Sequence, residues 1–183
     1  MIILVAPSGA GKSTFLERIL QEEPRLVDVV TYTTRQMREG EREGGTYHFV
    51  SHDEFIQLRD QGFFIEWARV HSNLYGTPID QIERAWAKGL AVIMDLDVQG
   101  ARTCKKKFPQ AKTIFIMPPS VEELRRRVLG RNRQPPPDFE LRMENALKEM
   151  SQAKEFDVQL INNQFQASYD EFKKIIEEIL KEE

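Results

Sequence analysis

The first fourteen residues constrain the fold of this chain more than any other segment. Ile2–Ala6 is a continuous apolar run that ends at turn residues, which is the pattern of a buried strand in a parallel sheet. A helix pattern with one apolar and one charged face begins at Lys12. A glycine-containing loop joins the two, so the segment predicts the strand–loop–helix start of a parallel α/β domain.

The loop itself has the pattern of a phosphate-binding loop. Gly11, Lys12 and Ser13 match the sequence Gly-x-x-x-x-Gly-Lys-Ser/Thr, whereas Ala6 stands at its first glycine position. Glycines let backbone N–H groups converge on phosphate oxygens, and the helix N-terminus adds its dipole. Lys12 is predicted to reach the β- and γ-phosphates of ATP, and Ser13 to ligate Mg²⁺ directly. The alternative is a chance turn rich in glycine and serine. The predicted ATP-binding residues here are Ala6, Pro7, Ser8, Gly9, Ala10, Gly11, Lys12, Ser13 and Thr14.

Composition narrows the class of protein. The chain has 183 residues, enough for one compact domain, and its hydrophobic share of 40% is that of a globular protein. Its 26 Lys and Arg against 29 Asp and Glu give a charge of −3, so we expect neither nucleic acid nor membrane as a partner. The single cysteine, Cys104, fits a cytoplasmic location. The sequence does not distinguish a monomer from a homo-oligomer.

Strand patterns alternate with helix patterns along the rest of the chain, which predicts a central parallel sheet with helices on both faces. Val27–Tyr32 is the second predicted strand. Thr77 is predicted to be the N-cap of a helix that begins at Pro78. Arg35–Val70 interrupts the alternation with short strands and predicts a lobe of its own, and Arg131–Arg142 predicts a second excursion.

Two arginines follow the second predicted strand. Arg35 and Arg38 are three residues apart, and a guanidinium fork suits a phosphate monoester better than an ammonium does. Tyr47 and Tyr75 can add hydroxyl donors. The segment therefore predicts a site for a phosphorylated acceptor, with a solvated basic loop as the alternative.

Carboxylates at three positions predict recognition of a base or a metal. Glu66 lies in an otherwise apolar strand pattern, and a buried carboxylate needs donors. Guanine offers a ring N–H beside an exocyclic amine, whereas adenine offers no such pair; the alternative is an edge position that faces water. Asp95 and Asp97 end a strand, where carboxylates lie beside the ligand crevice and can orient Mg²⁺ through water or contact substrate. Asp97 can also be a helix N-cap.

Together these residues resemble the guanylate kinase family from Ile2 to about Leu180. The resemblance implies an α/β three-layer P-loop fold in a single domain, with a core of residues 1–32, 78–126 and 148–183, a mixed α/β GMP-binding lobe of 33–77 and a helical lid of 127–147. It implies Mg²⁺- and ATP-dependent phosphorylation of GMP, and of dGMP, by direct in-line transfer in purine nucleotide metabolism. The matching stretches are Ala6–Thr14, Thr31–Arg38, Gly40–Glu41, Tyr47–Val50, Phe64–Trp67, Tyr75–Thr77, Asp95–Gly100, Pro118–Ser120 and Asn162.

The resemblance also implies roles for individual residues. The GMP-binding residues are Thr31, Arg35, Arg38, Tyr47, Glu66, Tyr75, Gly76, Thr77, Asp95 and Asp97. The catalytic residues are Lys12, Arg35, Arg131 and Arg142. The ATP site gains Arg127, Arg131 and Asn162, and Asp97 contributes to the metal through water.

One segment departs from the family pattern, because Pro135–Pro137 stands where relatives carry a polar, acidic stretch. Prolines stiffen the backbone and predict an altered lid. Two other classes compete with the kinase assignment: a kinase of the same fold with another acceptor, and a non-catalytic protein-binding module of guanylate kinase type. Glu66 and the two threonines that the resemblance assigns to the base, Thr31 and Thr77, argue against the first. The second is disfavoured by the presence of phosphate-loop and lid residues, namely Lys12, Ser13, Arg131 and Arg142.

Overall fold

The computed structural model describes residues 1–45, 47–70, 72–130 and 139–182. The strands are β1 (Ile2–Val5), β2 (Leu26–Asp28), β3 (Thr31–Thr33), β4 (Tyr47–Phe49), β5 (Phe64–Val70), β6 (Asn73–Pro78), β7 (Ala91–Asp95), β8 (Lys112–Met117) and β9 (Val158–Ile161). The helices are α1 (Lys12–Glu22), α2 (His52–Asp60), α3 (Ile79–Trp86), α4 (Val98–Lys107), α5 (Val121–Gly130), α6 (Phe139–Ser151) and α7 (Phe165–Glu182), with a 3-10 turn at Ala153–Glu155. None of the helices in this part of the chain is long and apolar enough to cross a membrane.

The core is a five-stranded sheet in the order β2-β7-β1-β8-β9, and all its pairs are parallel. Both faces are covered because the central strand is apolar on each side. Ile3 and Val5 of β1 pack with residues of α3 and α4, whereas Ile2 and Leu4 pack with residues of α1 and α7. The predicted three-layer fold with a parallel sheet is confirmed.

The register of the core sheet brings two predicted site segments together. Leu4 of β1 pairs with Asp95 of β7, so the two strands end side by side at their carboxyl ends. The loop that follows β1 and the acidic residues that follow β7 therefore share one edge of the sheet, the edge at which parallel α/β sheets bind ligands.

A second, mixed sheet has the order β4-β3-β6-β5. Its existence corrects the prediction of one continuous strand over Val27–Tyr32. The chain leaves the core sheet after Asp28 and enters the second sheet at Thr31. The N–H of Val29 donates to Asp28 Oδ1 at 2.8 Å, and that of Val30 donates to Gln81 Oε1 at 2.9 Å, so side chains replace the strand ladder at the break.

The prediction of a helix cap at Thr77 is wrong. Thr77 lies within β6, which pairs with both β3 and β5, and α3 begins at Ile79 with Pro78 at the N-cap position and no side-chain cap. The Thr77 side chain is fully buried. Its hydroxyl donates to Glu66 instead of accepting a hydrogen bond from a backbone N–H at the helix start.

The two helices α5 and α6 form a small cluster of their own. Leu124 and Val128 of α5 pack against Phe139, Met143 and Ala146 of α6. The predicted catalytic Arg131 and the segment Pro135–Pro137 fall in the connection between these helices, outside the described residues.

Candidate active site

The loop between β1 and α1 is curled by two glycines and supported from behind. Gly9 and Gly11 have φ angles of 94° and 99°, in the left-handed region that favours glycine. The side-chain amide of Asn162, at the end of β9, donates to the Ala10 carbonyl at 2.8 Å. A Cβ at Gly11 would lie 2.7 Å from that amide nitrogen, so Asn162 can pack against the loop only because residue 11 has no side chain.

Lys12 and Asp95 are joined across the shared edge of the core sheet. The Lys12 ammonium donates to Asp95 Oδ2 at 2.6 Å, and both side chains are mostly buried. Asp28, at the end of β2, belongs to the same electrostatic group although no site was predicted there. Burial, with a further contribution from Asp95, raises the pKa of Asp28 to about 7, against the opposing effect of Lys12.

A cleft of about 670 Å³ brings donor-side and acceptor-side residues into one space. Besides the loop, the predicted site residues on its wall are Thr31, Arg38, Tyr47, Glu66, Tyr75, Asp95, Asp97 and Arg142. The other predicted residues in the described part of the chain do not line this cleft: Ala10, Thr14, Arg35, Gly76, Thr77, Arg127 and Asn162. The sequence therefore predicted many of the residues that line the cleft. Some of the others contact the loop or a lining residue, as Asn162 does with Ala10 and Thr77 does with Glu66.

Arg35 is held in a fixed orientation by Glu41. Its Nη1 and Nη2 donate to the two carboxylate oxygens of Glu41 at 3.0 and 2.8 Å, and Nη1 also donates to the Gln36 carbonyl at 2.8 Å. The guanidinium lies 5.2 and 5.4 Å from the ring centres of Tyr47 and Phe49. Of the five donors of an arginine, the Nε–H and one Nη2–H have no acceptor among the described residues. Glu41 therefore decides which edge of Arg35 is offered to a ligand.

Glu41 also holds the second predicted arginine segment. Its Oε2 accepts a hydrogen bond from the backbone N–H of Arg38 at 2.8 Å. The sequence marked Glu41 only as part of a matching stretch, and the signal for its role was the spacing of one carboxylate six residues after Arg35 and three after Arg38.

Glu66 is buried although β5 is an edge strand. The residue is 4% exposed, and its Oε1 accepts a 2.5 Å hydrogen bond from Thr77 Oγ1. A Cβ at Gly100 of α4 would lie 2.8 Å from its Oε2, so the carboxylate faces that helix and not water. Burial raises the pKa of Glu66 to about 7; Asp97 adds to the rise, whereas the Thr77 hydrogen bond and Lys107 oppose it. The water-facing alternative is excluded.

Asp97 has the capping role and also faces the cleft. Its Oδ1 accepts a hydrogen bond from the Gly100 N–H at 2.7 Å, which confirms it as the N-cap of α4. The same residue lines the cleft, as does Asp95, whose carboxylate is paired with Lys12.

The helices α5 and α6 bring different groups to the site. Arg142 of α6 lines the cleft, whereas Arg127 of α5 donates to Glu123 at 2.7 Å and to the Asn162 carbonyl at 2.9 Å.

Glu149, seven residues after Arg142, also lines the cleft and was not predicted. Burial and Asp97 raise the pKa of Glu149 to about 7, and Lys12 opposes the rise. The helical spacing from Arg142 was the available signal.

The parallel sheet and the loop at the end of its first strand define the class of P-loop nucleotide-binding phosphotransferases. Comparison with known proteins narrows this class. The family model described as guanylate kinase matches residues 1–179. The chain belongs to the guanylate kinase family, whose members are ATP:GMP phosphotransferases.

Individual relatives agree along the whole chain. It is 55% identical to the guanylate kinase of Bdellovibrio bacteriovorus over 180 residues, which covers 98% of this chain and 97% of that one. It is 46% identical to the guanylate kinase of Haemophilus ducreyi over 178 residues, with coverage of 96% and 86%. A crystal structure of guanylate kinase from Anaplasma phagocytophilum superposes with a TM-score of 0.79 at 32% identity, covering 97% of this chain and 84% of the other.

Proposed function

We propose that this chain transfers the γ-phosphoryl group of ATP to GMP, and also to dGMP, in purine nucleotide metabolism. The observation that carries the proposal is the position of Glu66. Its buried carboxylate lies on the wall of the same cleft that contains the phosphate loop. A cleft lined both by a phosphate loop and by a buried carboxylate that can read guanine fits two nucleotides whose phosphates meet.

The phosphate loop supplies the donor site. Backbone N–H groups of the loop surround the ATP phosphates, among them those of Gly9, Gly11 and Ser13. Lys12 binds the β- and γ-phosphates after exchanging its contact with Asp95 for the nucleotide. Asn162 acts from behind by holding the Ala10 carbonyl. Arg127 supports Asn162, and Arg142 reaches the transferred group from α6. Arg131 completes this set in the proposal, although it lies outside the described residues.

The second sheet supplies the acceptor site. Arg38, Tyr47 and Tyr75 line the cleft and bind the GMP phosphate together with the open edge of Arg35. Glu66 accepts the ring N–H and the exocyclic amine of guanine. The remaining groups for the base are the hydroxyls of Thr31 and Thr77, the Gly76 backbone and a carboxylate from Asp95 or Asp97.

Transfer needs positioning and charge neutralisation rather than a general base. A phosphate monoester is largely a dianion at neutral pH, because its second pKa is about 6. Its oxygen can attack the γ-phosphorus in line while the bond to the ADP oxygen breaks, with no covalent enzyme intermediate. Lys12, Arg35, Arg131 and Arg142 neutralise the charge that spreads over the moving group, which is the main form of catalysis in such reactions.

The donor set suits Mg²⁺ as the cofactor. The Ser13 hydroxyl and the carboxylates of Asp95 and Asp97 are hard oxygen ligands on one cleft wall, and Mg²⁺ is usually bound by one or two carboxylates plus substrate phosphates. Among the described residues, no group of three or more His, Cys, Asp and Glu side chains could hold a metal ion. In the proposal, Ser13 ligates Mg²⁺ directly and Asp97 contributes through water. An ion held by these residues would supply positive charge to the phosphate oxygens of ATP.

Comparison of GMP with AMP tests the proposal directly. The parent is expected to phosphorylate GMP and to reject AMP by roughly 10⁴-fold in kcat/KM, because AMP leaves the buried Glu66 carboxylate without donors. Glu66→Gln is expected to lose most of the GMP activity while keeping its affinity for ATP. Glu54→Gln, an exposed substitution on α2, is the matched control. Equal turnover of GMP and AMP by the parent would exclude the assignment.

The proposed division into three parts lies close to the boundary between the two sheets, although Thr31 and Tyr32 of β3 and Pro78 of β6 belong to the second sheet. We assign residues 1–32, 78–126 and 148–183 to the core, 33–77 to the GMP-binding lobe and 127–147 to the lid. We also propose a cytoplasmic location, since the one cysteine, Cys104, is a buried free thiol that suits a reducing compartment.

A further inference from the structure

Three consecutive lysines end α4, and each does something different. Lys105 donates to the Ala111 carbonyl and to both carboxylate oxygens of Asp157 at 3.2 and 2.8 Å. Lys106 is exposed and makes no hydrogen bond or ion pair within the described part of the chain. Lys107 donates to the main-chain carbonyl of Ile65 in β5. The run is thus not a single charged patch, and its last member joins the core helix to the second sheet.

The carbonyl that Lys107 holds belongs to a β-bulge. Phe64 pairs with Pro78 and Glu66 pairs with Thr77, so two steps along β5 correspond to one step along β6. Ile65 is the extra residue and has no cross-strand partner. Its side chain is fully buried in the core cluster that includes α4. A buried carbonyl needs a donor, and the Lys107 ammonium supplies it.

We propose that Lys107 is a positioning residue for base selection: by holding the Ile65 carbonyl it fixes the bulge and thereby aims the carboxylate of the next residue, Glu66. The inference rests on the proposed function, in which Glu66 meets the guanine edge. A bulge redirects the side chains beside it, and such redirection is a common device next to active sites.

The contacts of Glu66 make the orientation of its carboxylate sensitive to the geometry of the bulge. Oε1 is bound to Thr77 Oγ1 at 2.5 Å, and Oε2 lies where Gly100 leaves room for it. Accepting two parallel hydrogen bonds from guanine requires both oxygens in the plane of the base. A displacement of about 1 Å at a reacting or reading group can cost on the order of 100-fold.

The charge of Lys107 also favours guanine recognition by Glu66, in addition to its effect on the position of the carboxylate. The groups around the Glu66 carboxyl are the Thr77 hydroxyl from β6, Asp97 and Cys104 at and within α4, and Lys107 at its end. Lys107 lowers the pKa of Glu66, whereas burial and Asp97 raise it. The same ammonium therefore favours the ionised form that accepts two hydrogen bonds.

Steady-state kinetics on substituted enzymes tests the inference. The variants are Lys107→Met, Lys107→Arg and the neighbouring control Lys106→Met, each assayed with GMP, with inosine monophosphate, which lacks the exocyclic amine, and with ATP as the varied substrate. Lys107→Met is expected to raise KM for GMP about tenfold and to reduce the preference for GMP over inosine monophosphate about fivefold, with KM for ATP unchanged. Lys107→Arg keeps a cationic donor and is expected to restore both values. Lys106→Met is expected to match the parent.

The outcomes separate this inference from the function on which it rests. If the parent does not phosphorylate GMP, the proposed function fails. If the parent does phosphorylate GMP, but Lys107→Met has the same KM for GMP and the same base preference as Lys106→Met, only the positioning role of Lys107 is overturned. An equal rise in KM for GMP and ATP would also overturn it, because a merely structural defect would affect both. Should Lys107→Met fail to fold, Lys107→Ala replaces it with a residue that suits a helix and carries the same expectations.

Discussion

The ammonium of Lys12 and the carboxylate of Asp95 form a 2.6 Å ion pair between the phosphate loop and the neighbouring strand β7. The lysine assigned to the ATP phosphates is therefore already neutralised by a residue of the core sheet. Phosphate oxygens must displace or share this carboxylate, so Asp95 opposes the binding of the nucleotide while it keeps Lys12 in the cleft.

Substitution of Asp95 by Asn should strengthen the binding of metal-free ATP. Removing the competing charge is expected to lower the dissociation constant about threefold to tenfold, a modest factor because the pair is partly screened by solvent. Isothermal titration calorimetry in the presence of a chelator measures it. Asp53→Asn makes the same charge change on an exposed side chain and should have no effect. Weaker binding of ATP by Asp95→Asn would contradict the prediction.

Substitution of Glu41 by Gln should weaken the binding of GMP and leave ATP unaffected. Gln keeps the shape of the side chain but lacks the charge that pairs with Arg35 and accepts from the Arg38 N–H. Loss of a charge-assisted pair is expected to raise the dissociation constant of GMP about tenfold. Glu39→Gln changes an exposed neighbour and is the control. Tighter GMP binding by Glu41→Gln would mean that this carboxylate competes with the phosphate instead of orienting the arginine.

Asn162 and Asn163 give a matched pair of substitutions at the end of β9. Asn162→Ala removes the amide that holds the Ala10 carbonyl, and leaving a buried acceptor without its donor costs about 1–3 kcal/mol. We expect KM for ATP to rise about tenfold and KM for GMP to stay constant. Asn163 is exposed, so Asn163→Ala should behave as the parent in the same assay. Equal effects of the two substitutions would refute the supporting role of Asn162.

Asp28 should make folding stability depend on pH. Its folded pKa of about 7 lies above the ordinary value of 3.8. The folded state therefore binds the proton more strongly than the unfolded chain, and stability falls as the pH rises from about 4 to 7. Asp28→Asn retains an acceptor for the Val29 N–H and avoids this loss. We expect the variant to be more stable than the parent at pH 8 by a larger margin than at pH 5. The difference in free energy of unfolding between the two proteins should increase by on the order of 1–2 kcal/mol over this range. Urea unfolding at both values measures the difference, and a constant gain would contradict the assignment.

The sequence predicted the features that depend on local pattern. The strand–loop–helix at the start of the chain, the parallel core and the cap at Asp97 were all confirmed, because hydrophobic period and turn chemistry are local signals. The anomaly of a carboxylate in the apolar strand around Glu66 was confirmed as a buried group.

The features that were missed depend on pairing between distant segments. The run Val27–Tyr32 looks continuous, but it is divided between two sheets at Val30, whose N–H donates to the Gln81 side chain and whose carbonyl accepts from it. Thr77 looked like a helix cap because the pairing of β6 with β5 is invisible before both strands are placed. Glu41 and Lys107 likewise gain their roles from partners that the fold brings to them, namely Arg35 and the Ile65 carbonyl.

The two sheets are joined by very short links, and this fixes how they can turn against each other. One link is Val29–Val30 between β2 and β3, and the other is the passage from β6 directly into α3 at Pro78 and Ile79. Gln81, in α3 just after the second link, is bound to the first link: its side chain accepts a hydrogen bond from the Val30 N–H at 2.9 Å and donates one to the Val30 carbonyl at 3.3 Å. A rotation of the second sheet relative to the core would bend the chain at these two links and would disrupt the contacts that Ile65 and Lys107 make between β5 and the core. The two links form a narrow hinge, and the Gln81 side chain stiffens it by holding both the N–H and the carbonyl of Val30.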